Sequence, residues 1–436
     1  MKKRILLGVP LLAVVGLALV VVGVATGKVS RAQSASALPS SSCLPLQYGG
    51  SGSPQFIVAS DLPLQGSSRS QTVEMTKAIG FTFKQAGYKA GKYTVGYQSC
   101  DDSTAQAGKW DPAKCSANAG LYSRTKEVIG VIGTFNSGCS EIEVPIMNRA
   151  GLGMISPANT YIGLTHTPAL PGEPQKYYPT GKRNYARVVA ADDFQGSADV
   201  LLAKQLKTVP VFVINDKEAY GFGIASAFRN VAKAAGVKIV GFTAWDPKAA
   251  SYQDLATKIQ NSGAKAIFLG GLECENGGKL IKDLHAGVPK ALLIAPDGFS
   301  SFGDTVKHAG DASEGMWISI AGQPYQNLAP AGKKFAAAFG KSVGLAAQKV
   351  NPYSNYGATA AQVLLAAIKK SDGSRASVTK GLFGVSVATS PIGAFKLNAN
   401  GDTNQGTISF YQIKGGQAVF KKLITPPLNL VAQAKP

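Results

Sequence analysis

Three groups of residues have types and spacing suited to holding a small charged molecule. The first is Thr134-Phe135-Asn136-Ser137-Gly138-Cys139-Ser140, directly after the apolar run Val128–Gly133. Ser137, Gly138 and Ser140 are expected to open a helix. Unpaired N–H groups and the helix dipole there favour an anion such as a carboxylate. The second is Ser156-Pro157-Ala158-Asn159-Thr160-Tyr161, after Met154–Ile155. The third comprises Asn215-Asp216 with Tyr220, then Gly271-Leu272-Glu273-Cys274-Glu275, then Pro296-Asp297-Gly298. Asp297 and Tyr220 suit an ammonium group through charge-assisted hydrogen bonds. A shorter loop, Asp61–Ser67, adds the hydroxyl of Ser67. A molecule carrying both a carboxylate and an ammonium would bridge these sets.

Each candidate also has a plain structural reading. Ser137 and Ser140 are common N-caps, Asp297-Gly298 is a common turn pair, Asn159-Thr160 fits an Asx turn, and Tyr220 could simply pack. Their shared position at the ends of apolar runs favours binding. Catalytic alternatives find little support. There is no G-x-S-x-G, H-E-x-x-H or G-x-x-x-x-G-K-[ST] pattern. The three histidines, His166, His285 and His308, are far apart in sequence, against a His-based triad or metal site. No cofactor and no metal are expected.

The elements that must position these residues alternate regularly. Strands are predicted at Gln55–Leu62, Tyr93–Ser99, Val128–Thr134 and Gly153–Ser156, with helices at about 70–86, 112–123 and 141–149. The alternation restarts near Tyr185, with strands at Val209–Asn215, Lys238–Trp245, Ala264–Gly270 and Ala291–Ala295 and helices between them. Nearly continuous apolar strands alternating with helices imply parallel sheets covered on both faces. After a strand at Gly315–Ile320 come helices at 331–343 and 353–369, then an antiparallel pair, Thr407–Ile413 and Gln417–Leu423. The fold class is therefore α/β, with two Rossmann-like parallel-sheet lobes joined by a hinge of three strands. In open parallel sheets ligands bind beyond the carboxyl ends of the strands, where all three groups lie.

Lys2-Lys3-Arg4 precede an uncharged run, Ile5–Gly27, and Ala35-Ser36-Ala37 offers a cleavage site, so residues 1–37 read as an export signal or N-terminal anchor. Cleavage after Ala37, retention as an anchor and a lipid on Cys43 are the three readings. Residues 38–53 read as a flexible linker and 429–436 as a C-terminal tail. The net charge of +20 comes from scattered lysines and arginines without interleaved aromatics, which argues against nucleic acid. Five cysteines in an exported chain imply disulfides with one thiol left over. Cys100 and Cys115, close in sequence, are the expected pair, and Cys43, Cys139 and Cys274 are left unassigned.

At these segments the chain resembles the type I periplasmic solute-binding proteins of the leucine/isoleucine/valine-binding kind, with their two-lobed Venus-flytrap fold. The resemblance rests on Val131-Ile132-Gly133, Met154-Ile155-Ser156-Pro157, Asp216-Lys217 with Tyr220-Gly221, Gly270-Gly271, Pro296-Asp297-Gly298 and Ala312-Ser313-Glu314-Gly315-Met316. It implies a monomeric, extracytoplasmic receptor that delivers an amino acid or a relative to the membrane permease of an ABC importer. It implies that Ser137 meets a ligand α-carboxylate, that Asn159 and Thr160 lie on a contact loop, that Tyr220 lines the cleft, and that Asp297 meets the α-ammonium. Leu272 and Glu273 stand where that family has tyrosines, and Ser67 where it has an aromatic, so the side-chain pocket differs. The expected lobes are 54–186 with 318–388 and 187–317 with 389–428, with crossings near Arg187, Ile318 and Pro391. A ligand-sensing receptor is the alternative reading, and an exported enzyme the third.

Overall fold

The computed structural model describes residues 34–166 and 170–435. Most of the expected signal or anchor therefore lies outside the described residues. Runs such as Val128–Gly133, Val211–Asn215 and Ala266–Gly270 are buried along their whole length, as strands covered on both faces must be. They fall into two sheets. The first has six strands in the order Lys89–Ala90, Tyr93–Asp101, Phe56–Leu62, Val128–Gly133, Met154–Ser156, Tyr185–Arg187. All its pairings are parallel except that of the short Lys89–Ala90 strand. The second has seven, in the order Ile239–Ala244, Val211–Asn215, Ala266–Gly270, Leu292–Ala295, Trp317–Ile320, Ile408–Lys414, Gln417–Ile424. Its first five strands are parallel, and the last two join antiparallel. The expected α/β fold with two parallel-sheet lobes is what the structure shows.

The lobes are discontinuous in sequence. Helix Pro352–Lys370 returns to pack on helix Arg69–Gln85 of the first lobe, while helix Asp192–Gln205 packs on Ala219–Ala234 of the second. Two expected boundaries need correction. Ile318 lies inside a strand of the second sheet, so the chain leaves that lobe only after Ile320. Pro391 lies in the loop of a small ribbon pairing Ser386–Val387 with Phe395–Lys396, and Gly401 still accepts from Arg187 N–H at 2.8 Å. The last crossing therefore falls between Asp402 and Ile408. Two of the crossings are tied together by charge. Buried Arg187 donates from Nε to Asp402 Oδ1 at 2.8 Å, and His166 contacts Asp402 at 3.0 Å and Asp193 at 3.1 Å.

The linker expected at 38–53 is no free tether. Leu44 and Gln47 donate their N–H groups to the carbonyls of Ser99 and Tyr97 at 2.7 and 2.8 Å, and Leu38 is buried. The segment runs antiparallel along strand Tyr93–Asp101, satisfying backbone groups that would otherwise be open. That placement also overturns the expected disulfide. Cys100 faces Cys43 across this edge and bonds to it, while Cys115 bonds to Cys139 and Cys274 is free. Proximity in sequence misleads because Cys115 sits on helix Pro112–Arg124, which packs against helix Ser137–Arg149 and so meets Cys139 in its first turn. The sulfur of Cys43, which a lipid anchor would need, is bonded to Cys100. The C-terminal tail is docked as well, with Val431 and Ala434 buried against the second-lobe helices. Among the described residues no helix is long and apolar enough to cross a membrane.

Candidate ligand-binding site

The carboxyl ends of both sheets face one cleft, and the lobes meet across it. Gln71 of the first lobe accepts from Ser300 and Ser301 of the second, and Ser70 donates to Asp304 at 2.8 Å. On one flank the hairpin Ser103–Thr104/Lys109–Trp110 of the first lobe places Lys109 between Glu218 (3.2 Å) and Glu275 of the second. Inside lies a small cavity. Ser137, Asn159 and Thr160 line it from the first lobe, and Tyr220 and Asp297 from the second.

The helix carrying Ser137 begins at that residue, four positions earlier than periodicity alone suggests. Ser137 is buried in its first turn, and its hydroxyl accepts from Tyr161 N–H at 3.4 Å, a long contact that leaves hydrogen-bonding capacity. Gly138 does not face the cavity. It lies beneath Trp110, whose ring would stand 2.7 Å from a Cβ at that position. Asn159 lines the cavity, but its side chain is fully engaged. Its amide donates to Thr134 O (2.9 Å) and Ser140 Oγ (2.6 Å), and its Oδ1 accepts from Tyr185 OH. It shapes the loop instead of offering a free group. Thr160 lies beside it, its carbonyl accepting the N–H of Asp192 at 2.9 Å.

The second lobe contributes a buried carboxylate. Asp297 begins a single helical turn after strand Leu292–Ala295 and Pro296. Gly298 lets that turn press against the end of the neighbouring strand, since a Cβ there would stand 2.0 Å from Gly271 O. Asp297 Oδ1 accepts from Tyr220 OH at 2.5 Å and Oδ2 from Tyr353 OH at 2.5 Å. Tyr220 OH in turn accepts Gly298 N–H at 3.0 Å, so its hydroxyl is spent on aiming the carboxylate. Burial raises the Asp297 pKa, and the hydrogen bonds of Tyr220, Tyr353 and Gln195 only partly offset it. Asp192 and Asp199 are also buried, and burial raises both well above the usual carboxylate range. Among the described residues no lysine, arginine or histidine pairs with Asp297.

Glu273 and Ser67 do not line this cavity. They lie in an adjoining recess, with Glu273 Oε1 held by His308 Nδ1 at 2.6 Å. Tyr353 and Ser300 line the cavity itself, and Gln71 the recess, although none of them stood out in the sequence. Tyr353 had a local signal. Asn351-Pro352 is a strong helix start, with Asn351 Oδ1 accepting Tyr353 N–H at 2.9 Å, and first turns in this fold point at the cleft.

Comparison with known proteins agrees with this fold. A family model described as periplasmic binding protein matches residues 62–418. A Leu/Ile/Val-binding protein homologue of Brucella melitensis is 26% identical over 78% of this chain and 86% of its own length. A Leu/Ile/Val-binding protein of Rhizobium johnstonii is 28% identical over 66% of this chain and 74% of its own. Among solved structures, a leucine-binding protein of Thermotoga maritima superposes with a TM-score of 0.73 at 20% identity, covering 85% of this chain and 99% of that one. A solute-binding protein of Rhodopseudomonas palustris in complex with p-hydroxybenzoic acid gives 0.70 at 15% identity, covering 85% and 97%.

Proposed function

The chain belongs to the periplasmic binding protein family, and on that premise we propose that it captures a free α-amino acid or close relative outside the cytoplasm and presents it to the permease of an ABC importer. The observation that carries this reading is Asp297. Asp297 lines the cavity between the lobes, its carboxylate is held there by a hydroxyl from each lobe, and it has no cationic partner among the described residues. A desolvated carboxylate without a cation disfavours closure. A ligand ammonium supplies the missing charge, and Ser137 with the helix start behind it supports a carboxylate at the other end. Tyr353 belongs to the first lobe and Asp297 to the second, so an ammonium held here favours the closed over the open arrangement. That is the differential affinity a hinged receptor requires.

Mass spectrometry of ligand released from protein purified without dialysis, followed by calorimetry, tests this. The expected ligand carries an α-amino and a carboxyl group, and its deaminated analogue binds much more weakly. A deaminated analogue that binds as tightly as the amino acid refutes the proposal.

A further inference from the structure

Next to the cavity, sharing Phe135, Leu272, Asp297 and Ser300 with it, lies the small recess that Ser67 lines. Its polar lining sets it apart from a pocket for an aliphatic side chain. Two buried groups in it have unused hydrogen-bonding capacity. Gln71, only 2% exposed, spends Oε1 on the hydroxyls of Ser300 (3.2 Å) and Ser301 (3.3 Å), which leaves Nε2 without an acceptor. Glu273, 5% exposed, spends Oε1 on His308, which leaves Oε2 without a donor. An unpaired buried donor and an unpaired buried acceptor on residues lining one recess are costly unless a ligand answers both.

We infer that the ligand ends in a primary carboxamide, as in glutamine or asparagine, whose oxygen accepts from Gln71 Nε2 and whose N–H₂ donates to Glu273 Oε2. A carboxamide offers an acceptor and donors side by side in one plane. A distal carboxylate has no donor for Glu273 and carries the same charge. An aliphatic end leaves both protein groups unmet. Gln71 comes from the first-lobe helix Arg69–Gln85 and Glu273 from the second lobe, so the amide is read only when the lobes close. This assignment rests on the reading of Asp297 as the ammonium partner, which fixes the orientation that sends the side chain into the recess.

Calorimetry on the exported protein with glutamine, asparagine, glutamate, norleucine, leucine and their deaminated analogues separates the two claims. Glutamine or asparagine is expected to bind at least about 30-fold tighter than norleucine or leucine, because the site's own polar groups penalise a ligand that cannot pair with them. Glutamate should bind more weakly than glutamine. In Gln71→Leu the ratio of amide to apolar affinity should fall to within about threefold, with Glu273→Gln altering the same ratio. If leucine or norleucine matches the amides while deaminated analogues fail, the carboxamide assignment is overturned and the role of Asp297 stands. If no amino acid outbinds its deaminated analogue, both fall. The ranking on the unmodified protein decides the matter even if a variant fails to fold.

Discussion

Replacing Asp297 with asparagine keeps the shape of the cavity wall and removes one charge. Tyr220 and Tyr353 each donate to Asp297 at 2.5 Å. Asparagine retains one acceptor, and one tyrosine hydroxyl can turn to accept from its new amide, so the wall survives. What is lost is attraction to the ligand ammonium. At about 4 Å and an effective dielectric near 20 that attraction is about 4 kcal/mol, and a hydrogen bond to a charged group is worth about 1.5–3 kcal/mol, two views of the same contact. The expected loss is therefore about 2–4 kcal/mol, or roughly 30- to 1,000-fold in Kd, expressed mostly as faster dissociation. The unliganded protein should respond differently. Burial raises the Asp297 pKa, so its folded-state value lies above the unfolded one and the ionised group detracts from stability as pH rises through that window. At neutral pH Asp297→Asn should leave the ligand-free Tm unchanged or higher. Calorimetry with an amino acid and its deaminated analogue, on both proteins, isolates the coupling. Equal losses for the two ligands, or an unchanged Kd for the amino acid, would refute the argument that Asp297 faces an ammonium.

Lys109→Met removes the cation between Glu218 and Glu275 and leaves two carboxylates of one lobe facing each other. Burial and the charge of Glu275 already push Glu218 up to about 7. Closure should weaken by about 1–2 kcal/mol, read as a larger ligand-free radius of gyration in small-angle scattering and a weaker Kd, because the triad is only partly buried. Non-reducing peptide mapping should yield Cys43–Cys100 and Cys115–Cys139 peptides with Cys274 free, and removing the 24-residue closure of Cys115–Cys139 should lower stability by about 3 kcal/mol. At the hinge, burial lowers the His166 pKa, but Asp193 and Asp402 outweigh it and hold it up to about 9. A raised histidine pKa gives stability that is complete below the unfolded value of 6.5 and is lost as pH rises through about 9, so Tm should fall across that window. The fall should flatten in His166→Gln, and a parallel decline in both proteins would remove His166 as its cause.

How far the site can be read from sequence depends on which part of the chain supplies each group. Asp297, Ser137 and Thr160 follow uninterrupted apolar strands, and a parallel sheet sends every strand end toward one edge, so spacing alone brings them near the cleft. Asn159 was legible as a position but not as a role, because only packing reveals Thr134, Ser140 and Tyr185 occupying its amide. The pairing of Cys100 with Cys43 required knowing that a Ser- and Gly-rich segment covers a sheet edge, which composition reads as a tether. Tyr353 is the hardest case. It reaches Asp297 from a helix 56 residues downstream, after the chain has left the first lobe, built most of the second and returned. No local pattern encodes which lobe a returning helix joins. Yet this contact makes the carboxylate an element of closure, because among the described residues it alone joins Asp297 to a hydroxyl of the opposite lobe. Tyr353→Phe should therefore weaken binding of an amino acid while leaving the fold intact, as the donor that orients Oδ2 toward the cavity is lost. Tyr220 remains in that variant to hold Oδ1, so the loss should be smaller than for Asp297→Asn. A Tyr353→Phe protein that matched Asp297→Asn in affinity would mean that the tyrosine touches the ligand itself.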